Sequence, residues 1–136
     1  MSRSSSSFAA LWLAYAEGRL ERSLDLVDGE CDVTMLDGRT YHGHDGLREW
    51  VADVQRLWKT LTVTFERVDE PYEGCVIGVG RVLGTSTDGA HRLDRRLVCF
   101  GEFREGRLVH GRAFDSTDDA LRYAGDRAGD DPAVAG

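Results

Sequence analysis

Apolar residues recur along this chain with two different periods, and the change between them falls near Lys59. Phe8, Leu11, Trp12 and Tyr15 stand at i, i+3, i+4 and i+7, the spacing that gathers side chains on one helical face. Gly18 follows at the position where a left-handed residue ends a helix. Leu20, Leu24 and Val27 mark a short second helix that stops around Gly29. Asp37-Gly38 predicts a hairpin turn between residues 32–36 and 39–41. Asp45 then reads as the N-cap of a third helix carrying Leu47, Trp50, Val51, Val54 and Leu57. Beyond Lys59 the period becomes two, which predicts long strands over 60–69, 74–85, 92–103 and 107–116. Ser116 or Thr117 caps a last helix that ends before Gly125. The pattern thus predicts a flexible lead-in at 1–7, one domain over 8–125 and a disordered tail at 126–136.

Turn chemistry also predicts register. A two-residue turn at Asp88-Gly89 sets Thr87 opposite Ala90, and one at Glu105-Gly106 sets Arg104 opposite Arg107. Opposite residues share a face of the sheet. One face would carry Ile77, Val79 and Arg81, then Arg96, Val98 and Phe100, then Gly111, Ala113 and Asp115. The other would carry Val76, Gly78, Gly80 and Val82, then Arg95, Leu97, Cys99 and Phe103, then Leu108, His110, Arg112 and Phe114. A one-residue bulge would swap these assignments.

Two stretches carry a family likeness. "YAEGRLERSLDLVDGECDVTMLDGRTYHGHDGLREWV" and "EGRLVHGRAFDSTDDALRYAG" resemble the opening and closing segments of the nuclear transport factor 2-like (SnoaL-like) superfamily, and together they frame residues 8–125. The resemblance implies an α+β fold, a cone-shaped curved antiparallel sheet wrapped around N-terminal helices. It also implies a small-molecule pocket under those helices, with the opposite sheet face commonly packed on a second subunit. Gly111 and Ala113 would leave space beside Val79, Val98 and Phe100, so the first face is expected to line the pocket. Trp12, Tyr15, Met35, Trp50, Val79, Val98, Phe100 and Ala113 are the expected pocket residues. The second face, apolar and outward, would then form a homodimer interface.

The family's acids do not carry over. The general base of ketosteroid isomerases falls on Met35, and their oxyanion donors fall near Leu11 and Val98. Of the Arg and two Asp of limonene epoxide hydrolase relatives, only Arg81 has a counterpart; the carboxylates fall on Leu83 and Ala113. The predicted register instead sets Arg81 opposite Arg96 and Arg96 opposite Asp115, a constellation able to hold an anion or carbonyl, with Asp115 as orienter or base. An exposed cross-strand ion pair is the alternative for the same three residues. His44, beside His42, is a further acid–base candidate or else a loop histidine.

Composition narrows the classes. The 136 residues carry a net charge of −7 with no basic block, which argues against nucleic acid. Cys31, Cys75 and Cys99 are widely spaced and odd in number, signalling neither a disulfide framework nor a zinc site. No run reaches transmembrane length, and a reducing cytoplasm is the expected compartment. No cofactor motif stands out. Two functions remain open: a cofactor-independent isomerase, cyclase, dehydratase or hydrolase acting on a small molecule, and a non-catalytic binding or dimerising module.

Overall fold

The computed structural model describes residues 2–130. In chain order these form α1 (Arg3–Ala16), α2 (Leu20–Ser23, continued by a 3-10 turn Leu24–Leu26), β1 (Val27–Thr34), β2 (Thr40–His42), α3 (Gly43–Leu57), β3 (Trp58–Tyr72), β4 (Cys75–Ser86), β5 (Arg92–Arg104), β6 (Arg107–Phe114) and α4 (Thr117–Asp130). The six strands make one open, curved sheet in the order β2-β1-β6-β5-β4-β3. Neighbours run antiparallel except β1 and β6, which are parallel. That exception follows from chain path: β1 meets β6 only after four intervening strands, with no hairpin to reverse it.

Both ends are more helical than periodicity predicts. α1 starts at Arg3, where Ser2 Oγ caps it by accepting the Ser5 N–H at 3.0 Å. Ser7, expected in a flexible lead-in, is buried and donates through Oγ to the Gly106 carbonyl at 2.7 Å. At the other end α4 runs past Gly125 to Asp130. A tertiary pair accounts for the extension: Arg127 grips Glu102 of β5 through two hydrogen bonds, at 2.9 and 2.8 Å. Met1 and residues 131–136 of the expected tail lie outside the described residues. α3 begins at Gly43 rather than after Asp45, which sits in the first turn and accepts from Arg48 at 2.7 Å.

The β4–β5 ribbon has the register its turn predicts, with Val79 opposite Val98 and Arg81 opposite Arg96. The β5–β6 ribbon keeps its predicted pairing only near the turn. There Glu105 and Gly106 take φ of 54° and 77°, as a type I′ turn requires. Phe103 faces Leu108, but the next pair is Glu102 with His110, so Val109 is an extra residue and a bulge. From that point Ala113 lies opposite Cys99, not opposite Val98.

This bulge reverses the expected faces. Ile77, Val79, Val98 and Phe100 form one buried cluster with Ala120 and Ala124 of α4, and Tyr123 packs against it. Val76, Val82, Leu97, Cys99 and Phe103 form another with Phe8, joined by Leu11, Trp12 and Ala113. The helical roof therefore lies over the face expected to be outer, and Val79 and Val98 pack beneath α4 instead. The expectation that small residues open the hollow took Gly111 and Ala113 to be beside Val98. The bulge aligns them with Gly101 and Cys99. A dimer patch was inferred from apolar residues now facing inward, so that premise falls too. Gly78 on the inner face admits the roof: a Cβ there would lie 2.7 Å from Phe8 Cζ and 2.8 Å from the Phe65 ring.

The three cysteines are free and buried. Burial holds their thiols protonated, Cys31 and Cys99 pushed up to about 12 and Cys75 to about 11.

Candidate functional site

Between α1, α3 and the inner sheet face lies a cavity of about 480 Å³. Its walls are aromatic and aliphatic for a structural reason. The i, i+3, i+4, i+7 stripe of α1 and the Trp50–Val54–Leu57 stripe of α3 cannot both fill the concave side of a curved sheet, and a hollow remains. Trp12 stands edge-on to Trp50 at 6.5 Å and to Tyr15 at 5.8 Å, while Tyr15 leans on Trp50 at 5.0 Å. The sheet contributes Val82, Leu93, Leu97, Cys99 and Phe103, and β6 contributes Leu108 and Ala113.

Polar groups concentrate where the β1–β2 hairpin meets α3. The Tyr41 hydroxyl donates to Asp53 Oδ2 at 2.8 Å, and Arg39 Nη1 donates to the same oxygen at 3.3 Å. Arg56 Nη2 reaches Oδ1 at 3.0 Å. Hydrogen bonds from Tyr41 and Arg56 hold the Asp53 carboxyl below the usual range, so it is ionised at neutral pH. Burial first, then the Asp53 carboxylate, push the Tyr41 hydroxyl up. Arg39, Tyr41 and Asp53 all border the cavity, as does Asp37, whose Oδ1 accepts the Arg39 backbone N–H at 2.9 Å. Tyr15 donates weakly to the Leu61 carbonyl at 3.4 Å, and burial raises its pKa.

The expected pocket residues divide. Trp12, Tyr15, Met35, Trp50 and Ala113 border the cavity, whereas Val79 and Val98 lie on the far side of the sheet. Phe100 borders it too, yet its ring packs on Tyr123 and His110, at 5.2 and 5.9 Å, beneath α4.

The expected catalytic constellation is not assembled. Arg81 binds Asp94 with Nε at 3.0 Å, on the far face and half-exposed. Arg96 reaches Thr117 at 3.4 Å, and Asp115 pairs with Arg95 at 3.3 Å instead. The bulge again explains the exchange, because it moves Asp115 to the face Arg95 occupies. His44 donates through Nε2 to the Val27 carbonyl at 2.7 Å, fastening α3 to the start of β1 rather than facing the hollow.

Sequence reasoning passed over Arg39, Tyr41 and Asp53. Asp53 sits three positions after Trp50 and one before Val54, so helical spacing alone sets it at the edge of the apolar stripe. The hairpin closes through a three-residue loop, Leu36 to Gly38, rather than the two-residue Asp37-Gly38 turn, with the Met35 N–H donating to the Arg39 carbonyl at 2.9 Å, and this places Tyr41 opposite Val33, beside α3. Helical spacing could have found Asp53, but the expected two-residue turn would have set Tyr41 opposite Thr34 and hidden its partner.

Among the described residues no group of three or more His, Cys, Asp or Glu could hold a metal ion. No described helix is long and apolar enough to cross a membrane.

No protein-family model matches this chain, and no curated protein matches it in sequence. Solved structures do match in shape. An NTF2-like protein of unknown function from Burkholderia pseudomallei K96243 shares 19% identity over 90% of this chain and 97% of its own, with a TM-score of 0.77. TerC, co-crystallised with polyporic acid, shares 17% over 89% and 97%, with a TM-score of 0.76. A protein with a ketosteroid isomerase-like fold from Catenulispora acidiphila, in complex with trimethylamine, shares 15% over 88% and 90%, with a TM-score of 0.68. The chain therefore has the nuclear transport factor 2-like, SnoaL-like fold.

Proposed function

We propose that this nuclear transport factor 2-like fold binds a mostly apolar small molecule in the cavity between α1, α3 and the inner sheet face. The observation that carries the reading is the cavity itself, about 480 Å³ and walled by Trp12, Trp50, Leu97, Phe103 and their neighbours. Hollows of that size and lining suit ligands that gain by leaving water.

A second reading is a cofactor-independent enzyme, favoured by the Tyr41 hydroxyl bonded to Asp53 in the cavity wall. Binding is preferred because the carboxylates near the hollow are engaged. Asp53 accepts three donors and Asp115 pairs with Arg95. The hydrogen bonds that favour the charged form of Asp53 make it a weak proton acceptor.

Titration with N-phenyl-1-naphthylamine, a neutral fluorophore of matching bulk, tests the proposal. The wild-type protein should enhance its fluorescence saturably, and Ala113→Phe, which narrows the hollow, should weaken that binding while its Tm holds. Absence of wild-type binding, or undiminished binding by a folded Ala113→Phe variant, would overturn the reading.

A further inference from the structure

We infer that Arg39 is an anion-recognising group at the lip of the cavity, so that the ligand is an amphiphile with an apolar body inside and an oxyanion at the guanidinium. The inference rests on the cavity reading above and names the chemistry of one end of its occupant.

The geometry of the lip carries it. Arg39 makes its side-chain hydrogen bonds through Nη1 alone among the described residues, to Asp53 at 3.3 Å and to the Tyr41 oxygen at 3.5 Å. Its Nε and Nη2, the two N–H groups that form a parallel fork, make none to the described residues. A fork of that kind matches the two oxygens of a carboxylate or sulfonate. The side chain is 55% exposed, at the boundary where a charged head can stay wet while the body enters.

The carboxylate against Arg39 is already engaged. Asp53 has both oxygens occupied by Tyr41, Arg39 and Arg56. Asp37 is bonded to the Arg39 backbone, which shapes the turn. A cation would have to displace Arg39 or Arg56 from Asp53, whereas an anion meets donors with no described partner. Asp53 and Tyr41 are then positioning residues: they fix one edge of the guanidinium and leave the other to the ligand.

Two probes that share a skeleton and differ in charge test this. 1-Anilinonaphthalene-8-sulfonate carries a sulfonate on the body of N-phenyl-1-naphthylamine. Wild type should bind the sulfonate at least as tightly as the neutral probe. Arg39→Gln should weaken the sulfonate roughly fivefold or more and leave the neutral probe within about twofold, the modest size reflecting exposure. Asp53→Asn should shift the same ratio in the same direction, although it leaves the cation in place. Ala113→Phe should weaken both probes alike, which confines the signal to the hollow. If Arg39→Gln changes both affinities equally, or neither, the anion assignment is wrong while the cavity reading stands. If neither probe binds wild type, the cavity reading fails first and this one with it.

Discussion

Single residues show how closely the roof is fitted to the sheet. A Cβ at Gly78 would sit 2.7 Å from Phe8 Cζ, and both that ring and Phe65 are hemmed in by neighbouring aromatics. Gly78→Val should therefore cost about 1–3 kcal/mol of stability, read by urea denaturation. His110 offers a second test, through pH. Its Nε2 lies 2.5 Å from the Tyr123 hydroxyl and its Nδ1 3.4 Å from Asp32, with Glu102 and Arg127 also facing it. Burial first, then Arg127, depress its pKa below the ordinary 6.5, outweighing the two acids. The folded state thus disfavours protonated His110. Its contribution is complete above the unfolded value and is lost as pH falls through about 6.5 and then through the lower folded value. Wild-type Tm should decline between roughly pH 7 and 5, and His110→Gln should flatten that slope. An unchanged slope would contradict the assignment. Neither residue's part was legible in sequence. Gly78 could be placed on a face, but what approaches it depends on where α1 lands, and His110 needs α4 overhead to be buried.

Elements were legible wherever local chemistry sets them, and less so where distant partners do. Asp88-Gly89 and Glu105-Gly106 predict their hairpins because turn geometry needs residues at positive φ there, and Gly89 and Gly106 take 73° and 77°. The α1 and α3 stripes predict helices for the same local reason. The Val109 bulge left no mark in composition, since a β-branched residue between Leu108 and His110 keeps β propensity intact whether or not it is paired. That one residue moved Asp115 away from Arg96 and moved Ala113 to the cavity wall. The length of α4 was hidden for a different reason: Gly125 reads as a stop, and only the Arg127–Glu102 pair shows why the helix continues. Arg127→Met should strand Glu102, which is 7% exposed, and destabilise the fold by roughly 1–3 kcal/mol. Hydrogen exchange should locate the loss in α4, with α1 and α3 still protected; equal loosening everywhere would count against the pair as the anchor.

At the scale of the whole molecule, element order and the two quoted stretches were enough for the fold, because order is preserved when side chains are not. The hollow and its helical walls at Trp12, Tyr15 and Trp50 were foreseeable from that fold, but its sheet wall was not, since a one-residue offset decides which side of a ribbon looks inward. The parallel seam between β1 and β6 has a consequence for how the protein is made. Val27 to Thr34 find their inner partner only at Leu108 to Arg112, about 80 residues further along the chain. A ribosome therefore carries a half-built chain whose aromatic-faced helices have no finished sheet to cover. Sealing waits until the final ribbon emerges, and chaperones would meet that aromatic surface before any small molecule could.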